Sequence, residues 1–131
     1  MPANVLQKIL YVDDETALQA VVQLVLQALG GFTVKVCSAG QEALEQAASF
    51  APDLILLDVV MPGMDGPATL LALRQRPACA HIPVCFMTAK TEPQEIAQYK
   101  ALGAWDVIPK PFDPMTLTTQ VAAIWDRHHG G

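Results

Sequence analysis

The chain has 131 residues, a net charge of −5 from 8 Lys+Arg against 13 Asp+Glu, and 52% hydrophobic residues. That length suits one domain with a core of its own, and a charged fraction of only 16% excludes a disordered solvating segment. The acidic balance and an aromatic content of 6% argue against a nonspecific nucleic-acid binder and a base-stacking platform.

In chain order, Met1 to Lys8 carry no basic segment leading into an apolar one, so no secretory signal is expected. No apolar stretch reaches the roughly 18 residues of a membrane span. The first aliphatic run is Lys8-Ile9-Leu10-Tyr11-Val12. A helical pattern follows, with Leu18, Val21, Val22, Val25 and Leu29 on one face and Gln19, Gln23 and Gln27 on the opposite one, stopped by Gly30-Gly31. The second run, Thr33-Val34-Lys35-Val36, alternates and suggests a strand near a sheet edge. A helix from Gln41 to Ser49 precedes Pro52. The third run, Asp53-Leu54-Ile55-Leu56-Leu57, is continuously apolar, as a parallel strand covered on both faces should be.

A third helix is predicted over about Pro67 to Gln75, then a strand over Ile82 to Met87. A fourth helix spans about Glu92 to Leu102 and ends at Gly103. A fifth strand covers Trp105 to Ile108. The last helix starts after Asp113-Pro114, a cap followed by a first-turn proline, and buries Leu117, Val121 and Ile124. Strict alternation of five strands and five helices predicts a doubly wound α/β domain with a parallel sheet. Three cysteines (Cys37, Cys79 and Cys85) without CxxC spacing fit reduced thiols in a cytoplasmic protein.

In such sheets ligands collect beyond the carboxyl ends of the strands. The first strand runs into Asp13-Asp14-Glu15, the third ends in Asp58, the fourth in Thr88-Ala89 and the fifth in Lys110-Pro111. The second ends in Cys37-Ser38-Ala39, which suggests no chemistry. Carboxylates converging on one rim repel, and one of them takes up a proton unless a cation intervenes. Magnesium suits the case, since it accepts carboxylates, a carbonyl and waters and leaves room for a phosphate oxygen. A lysine adds a point charge for a phosphoryl oxygen, and a threonine hydroxyl can donate to another. The rim offers neither a nucleophilic Ser nor a Cys-His pair, so the candidate nucleophile is a carboxylate that would form an aspartyl phosphate.

The segments Val12-Asp13-Asp14-Glu15, Asp58-Val59-Val60-Met61-Pro62-Gly63-Met64-Asp65-Gly66, Met87-Thr88-Ala89 and Lys110-Pro111-Phe112 resemble the receiver domain of two-component response regulators, in the family's order and at its spacing. The resemblance implies a flavodoxin-like (βα)5 fold with strand order 2-1-3-4-5, and one receiver domain over residues 1–131 without an output domain. It implies that Asp58 is the phosphoacceptor, supplied by a sensor histidine kinase or histidine phosphotransfer protein. Asp13, Asp14 and Asp58 with the backbone carbonyl of Val60 would hold Mg²⁺. Lys110 would bind the acceptor and then the phosphoryl group, and Thr88 would turn to a phosphoryl oxygen. The Lys110-Pro111 peptide would be cis. A downstream protein would read the face formed by the fourth helix, fifth strand and fifth helix, with no nucleic acid or membrane as partner. Pro109, which lacks an N–H, would then fall on an edge strand.

Val107 stands where many members carry Tyr or Phe three residues before the lysine, so any rearrangement of that face must use other groups. Val60 and Lys90, an apolar residue beside a long cation, would position an attacking water poorly and prolong the phosphorylated form. Other residues have plainer readings. Asp13-Asp14 could cap the first helix, Glu15 could be a helix-start acid, and Asp65-Gly66 could be a simple turn. His81 reads as a loop residue, and adjacent His128-His129 make a poor metal pair. Met61, Met64 and Cys85 read as packing, and Trp125 as either core or surface patch.

Three rivals follow from the same residues. A phosphatase of the haloacid-dehalogenase type would also use an aspartyl nucleophile. It needs an acid two residues later, where Val60 stands. A nucleotide- or flavin-binding domain would need a glycine-rich loop where Asp13-Asp14 would repel phosphates. A phosphate sink that only discharges its kinase would share every motif. An enzyme in the ordinary sense is not expected.

Overall fold

A computed structural model describes residues 5–128. Five strands alternate with five helices: β1 (Lys8–Val12), α1 (Thr16–Ala28), β2 (Thr33–Cys37), α2 (Gly40–Phe50), β3 (Leu54–Asp58), α3 (Gly66–Arg74), β4 (Val84–Thr88), α4 (Pro93–Ala101), β5 (Asp106–Pro109) and α5 (Pro114–His128). The strands form one parallel sheet in the order β2-β1-β3-β4-β5, the expected flavodoxin-like arrangement. β2, the alternating run, is an edge. β5 is the other edge, which is where the strand-ending Pro109 can be accommodated.

The sheet divides the core in two. On one face Leu10, Val12, Ile55, Leu57, Val84, Phe86 and Val107 meet α2 and α3, with Ile96 and Tyr99 of α4 packed on partly. On the other, Ile9, Tyr11, Leu54, Leu56, Cys85, Met87 and Ile108 meet α1 and α5 through Val22, Leu26, Leu117, Val121 and Trp125. All five residues of central β3 are buried. Each of its aliphatic side chains gains roughly 2 kcal/mol of transfer free energy, offset in part by the entropy of ordering it. The strand that carries Asp58 is therefore firmly anchored. α4 is the contrast, with no fully buried residue.

Two readings of α1 need correcting. Val22, Val25 and Leu26 are its buried residues, whereas Val21 and Leu29 are exposed. Gln19 and Gln23 do not face solvent: both are half-buried, and their side-chain amides reach Asp13, Ser38 and the Val34 carbonyl. A glutamine flanking an apolar stripe can lay its stem on the sheet and hydrogen-bond over the edge, which residue type alone does not reveal. The stop at Gly30-Gly31 holds, with Gly31 at φ 70.

Asp65 is more than a turn residue, since it caps α3 by accepting from the Ala68 amide at 2.9 Å. Trp125 is core. Met61 is buried and Met64 packs on the core, as expected. Among the described residues no helix is long and apolar enough to cross a membrane. His129 and the first four residues, on which the signal-peptide reading partly rests, lie outside the described residues.

Candidate functional site

Because the strands are parallel, their last residues share one rim. Tyr11 and Asp13 are two residues apart on extended chain, so both point to the same face. The Asp13 amide continues the sheet by donating to the Cys37 carbonyl at 3.0 Å. β3 delivers Asp58, whose successor Val59 donates to the Met87 carbonyl at 3.1 Å. Gly66 then packs against this turn. A Cβ there would lie 2.7 Å from the Asp58 carbonyl oxygen and 2.8 Å from the Val59 Cα, so no larger residue fits without displacing the Asp58 backbone.

Asp13 and Asp58 are buried, Asp14 is exposed, and one carboxylate oxygen from each lies within 4.8 Å of the others. Lys110 reaches in from the end of β5, its Nζ 2.9 Å from Asp13 Oδ2 and 3.3 Å from Asp58 Oδ1. The Lys110–Pro111 peptide is cis. Thr88, buried at the end of β4, accepts from the Lys90 amide at 3.0 Å through its hydroxyl. The Val60 side chain is exposed at the mouth. A cleft of about 320 Å³ opens beside the cluster, lined by Glu15, Leu18, Ala89, Lys110, Pro111 and Phe112.

Burial raises the pKa of Asp58; the nearby Lys110 ammonium opposes this, Asp13 adds to it, and the net position is above the usual carboxylate value. Burial alone would lower Lys110, but the hydrogen bond and charge of Asp13, then the charge of Asp58, hold it above its ordinary value. The rim thus sets three carboxylates against one ammonium. That oxygen-only donor set with excess negative charge fits a hard divalent cation. The Cys85 thiol, by contrast, is pushed up to about 12 chiefly by burial and is inert as a nucleophile.

The response regulator receiver domain model matches residues 9–122. This chain belongs to that family. It is 39% identical over 121 residues to the alkaline phosphatase synthesis transcriptional regulatory protein PhoP of Bacillus subtilis, covering 92% of this chain and 49% of that protein. It is 38% identical over 117 residues to the DNA-binding response regulator MtrA of Mycobacterium tuberculosis (strain ATCC 25618 / H37Rv), covering 89% and 50%. The chain therefore spans about half the length of these curated relatives. Among solved structures, the chemotaxis protein CheY4 of Vibrio cholerae superposes with a TM-score of 0.83 at 32% identity, over 92% of this chain and 99% of that one. Receiver domains are signalling modules, not enzymes in the ordinary sense.

Two residues at this receiver's rim escaped the sequence reading. Tyr11 donates its hydroxyl to Asp13 Oδ2 at 2.8 Å, and Gln19 donates to the Asp13 carbonyl and to Ser38 Oγ at 2.9 Å. The strand's two-residue period could have flagged Tyr11. Capping of α1 is not how the paired acids are used. The N-cap residue is Glu15, without a side-chain cap bond, and Asp13 Oδ1 accepts from its amide at 3.0 Å.

Proposed function

We propose that the chain accepts a phosphoryl group on Asp58 from the phosphohistidine of a sensor histidine kinase or histidine phosphotransfer protein, in a Mg²⁺-dependent reaction, and presents an altered surface to a protein partner. The observation that carries this reading is the position of the Lys110 ammonium between the buried carboxylates Asp13 and Asp58. An Asp58 oxygen forms the bond to phosphorus as the phosphorus–nitrogen bond breaks, and the departing ring nitrogen keeps that bond's electron pair. Lys110, already within reach of Asp58, follows the charge onto the phosphoryl oxygens. Thr88 exchanges its bond from Lys90 for donation to a phosphoryl oxygen.

Asp13, Asp14, Asp58 and the Val60 carbonyl are the groups that would hold Mg²⁺, which when bound offsets the phosphoryl charge. The added charge, roughly −1.5 to −2 by analogy with other phosphorylated residues, enters a rim that is already acidic. Release of the Lys90 amide loosens the segment leading into α4, the helix with least burial, and so reaches the α4–β5–α5 face. Val107 is too short to swing as an aromatic would, so this route runs through the backbone.

Incubation with a small acyl-phosphate donor, read by intact mass, tests the proposal. One phosphate should add only with Mg²⁺, persist for minutes after the donor is removed, and be absent from Asp58→Asn. No adduct on the wild type, or an unchanged adduct on the variant, refutes it.

A further inference from the structure

Asp13 is buried, and its carboxylate meets three donors: Tyr11 Oη at 2.8 Å and Lys110 Nζ at 2.9 Å on Oδ2, and the Glu15 amide at 3.0 Å on Oδ1. A carboxylate has about four lone-pair sites, two on each oxygen. Oδ2 is therefore full, and the remaining site belongs to Oδ1.

We propose that Tyr11 is a positioning residue for the cation: its hydroxyl, with Lys110, occupies Asp13 Oδ2 and leaves Oδ1 as the oxygen this acid can offer to Mg²⁺ or its bound water. The inference rests on the cation reading above and extends it to a residue in the core. Tyr11 is fully buried in the layer beneath α1 and α5, with its register partner Leu56 on β3 fully buried in the same layer. A hydroxyl on so constrained a ring is a rigid donor. Lys110 alone, half-exposed on a flexible stem and shared with Asp58, cannot hold Oδ2 as firmly. The competing view is that the phenol merely found a convenient buried acceptor, in which case its loss affects stability alone.

Tyr11→Phe preserves the ring and removes only the donor. Titration of the full chain with MgCl₂ by calorimetry should show Kd rising about tenfold in the variant, the scale of losing a group that orients a metal ligand. With the acyl-phosphate donor, the Mg²⁺ concentration that gives half the maximal phosphorylation rate should rise in parallel, while the rate at saturating Mg²⁺ stays near wild type. A purely structural tyrosine would lower the melting temperature measured without Mg²⁺ and move neither quantity. An unchanged or smaller Kd in Tyr11→Phe, with the wild type binding normally, overturns this inference alone. A wild type that binds no Mg²⁺ overturns it together with the cation reading.

Discussion

Charged side chains are drawn into both ends of the sheet, and the two ends use them differently. At the amino end, Asp53 accepts the Gln7 and Lys8 amides at 3.0 and 2.9 Å, and Arg74 donates to the Ile82 carbonyl at 2.8 Å and the Gly103 carbonyl at 3.5 Å. Both of these charges are met by backbone dipoles and tie neighbouring segments together. At the carboxyl end, Asp13, Asp14, Asp58 and Lys110 face one another, and the acids outnumber the base. The first arrangement is complete as it stands. The second retains capacity for a cation and for further charge, which is what separates a binding rim from a structural one.

Removing Lys110 should expose that difference most sharply. Lys110→Met leaves two buried carboxylates without their ammonium and, on the proposed function, removes the group that would stabilise the transferred phosphoryl. Acyl-phosphate uptake, followed by intact mass against time, should slow about a hundredfold. A rate close to wild type would erase the distinction between the rims. At the other end, Arg74→Met strands the Ile82 carbonyl, whereas the exposed Gly103 carbonyl can turn to water. The substitution should cost about 2 kcal/mol in denaturant unfolding while the uptake rate of the folded protein is unchanged. A slowed uptake with intact stability would show that the amino end is not merely structural.

The smallest effect runs the opposite way. Asp58 has a pKa above the ordinary carboxylate value in the folded chain. Its ionised form therefore weakens the fold. That penalty is absent below the unfolded pKa, near 4, and is fully present once pH exceeds the folded pKa. Asp58→Asn should stabilise the protein by about 1 kcal/mol at neutral pH, with the gain fading as pH falls towards 4. Thermal melts of both proteins across that range measure it, and a destabilised variant at neutral pH would contradict the conflict seen at the rim.

The strand ends that build this rim are legible because a short, continuously apolar run such as Leu54-Ile55-Leu56-Leu57, alternating with helical segments, reads as a covered strand, and the polar residue ending it emerges at the carboxyl end of the sheet. Asp13, Thr88 and Lys110, as residues at or just past parallel strand ends, fall on one side of the molecule for the same reason. The 2.9 Å contact between Lys110 and Asp13, residues 97 apart in sequence, is not legible in the sequence, since it depends on the register of every intervening strand. Tyr11 reads as one more apolar strand residue, because a phenol contributes to burial and to hydrogen bonding at once. Gln19 reads as solvent-facing by its type, whereas its angular position beside Leu26 puts it over the loop of Asp13. For Tyr11 the pattern identifies the face and only packing identifies the partner, whereas for Gln19 residue type misplaces the face as well.

Both tryptophans of the chain stand together, far along the sequence from Asp13, Asp14 and Asp58. Trp105 and Trp125 lie 5.8 Å apart between ring centroids, and Trp105 is stacked on the imidazole of His128 at 4.2 Å and 7°. Indole emission from this protein therefore reports on one place, the corner where β5 meets the end of α5. Light absorbed there is a native gauge that needs no label: a phosphoryl group that alters only the rim leaves the spectrum still, whereas one felt at the corner changes its intensity or colour.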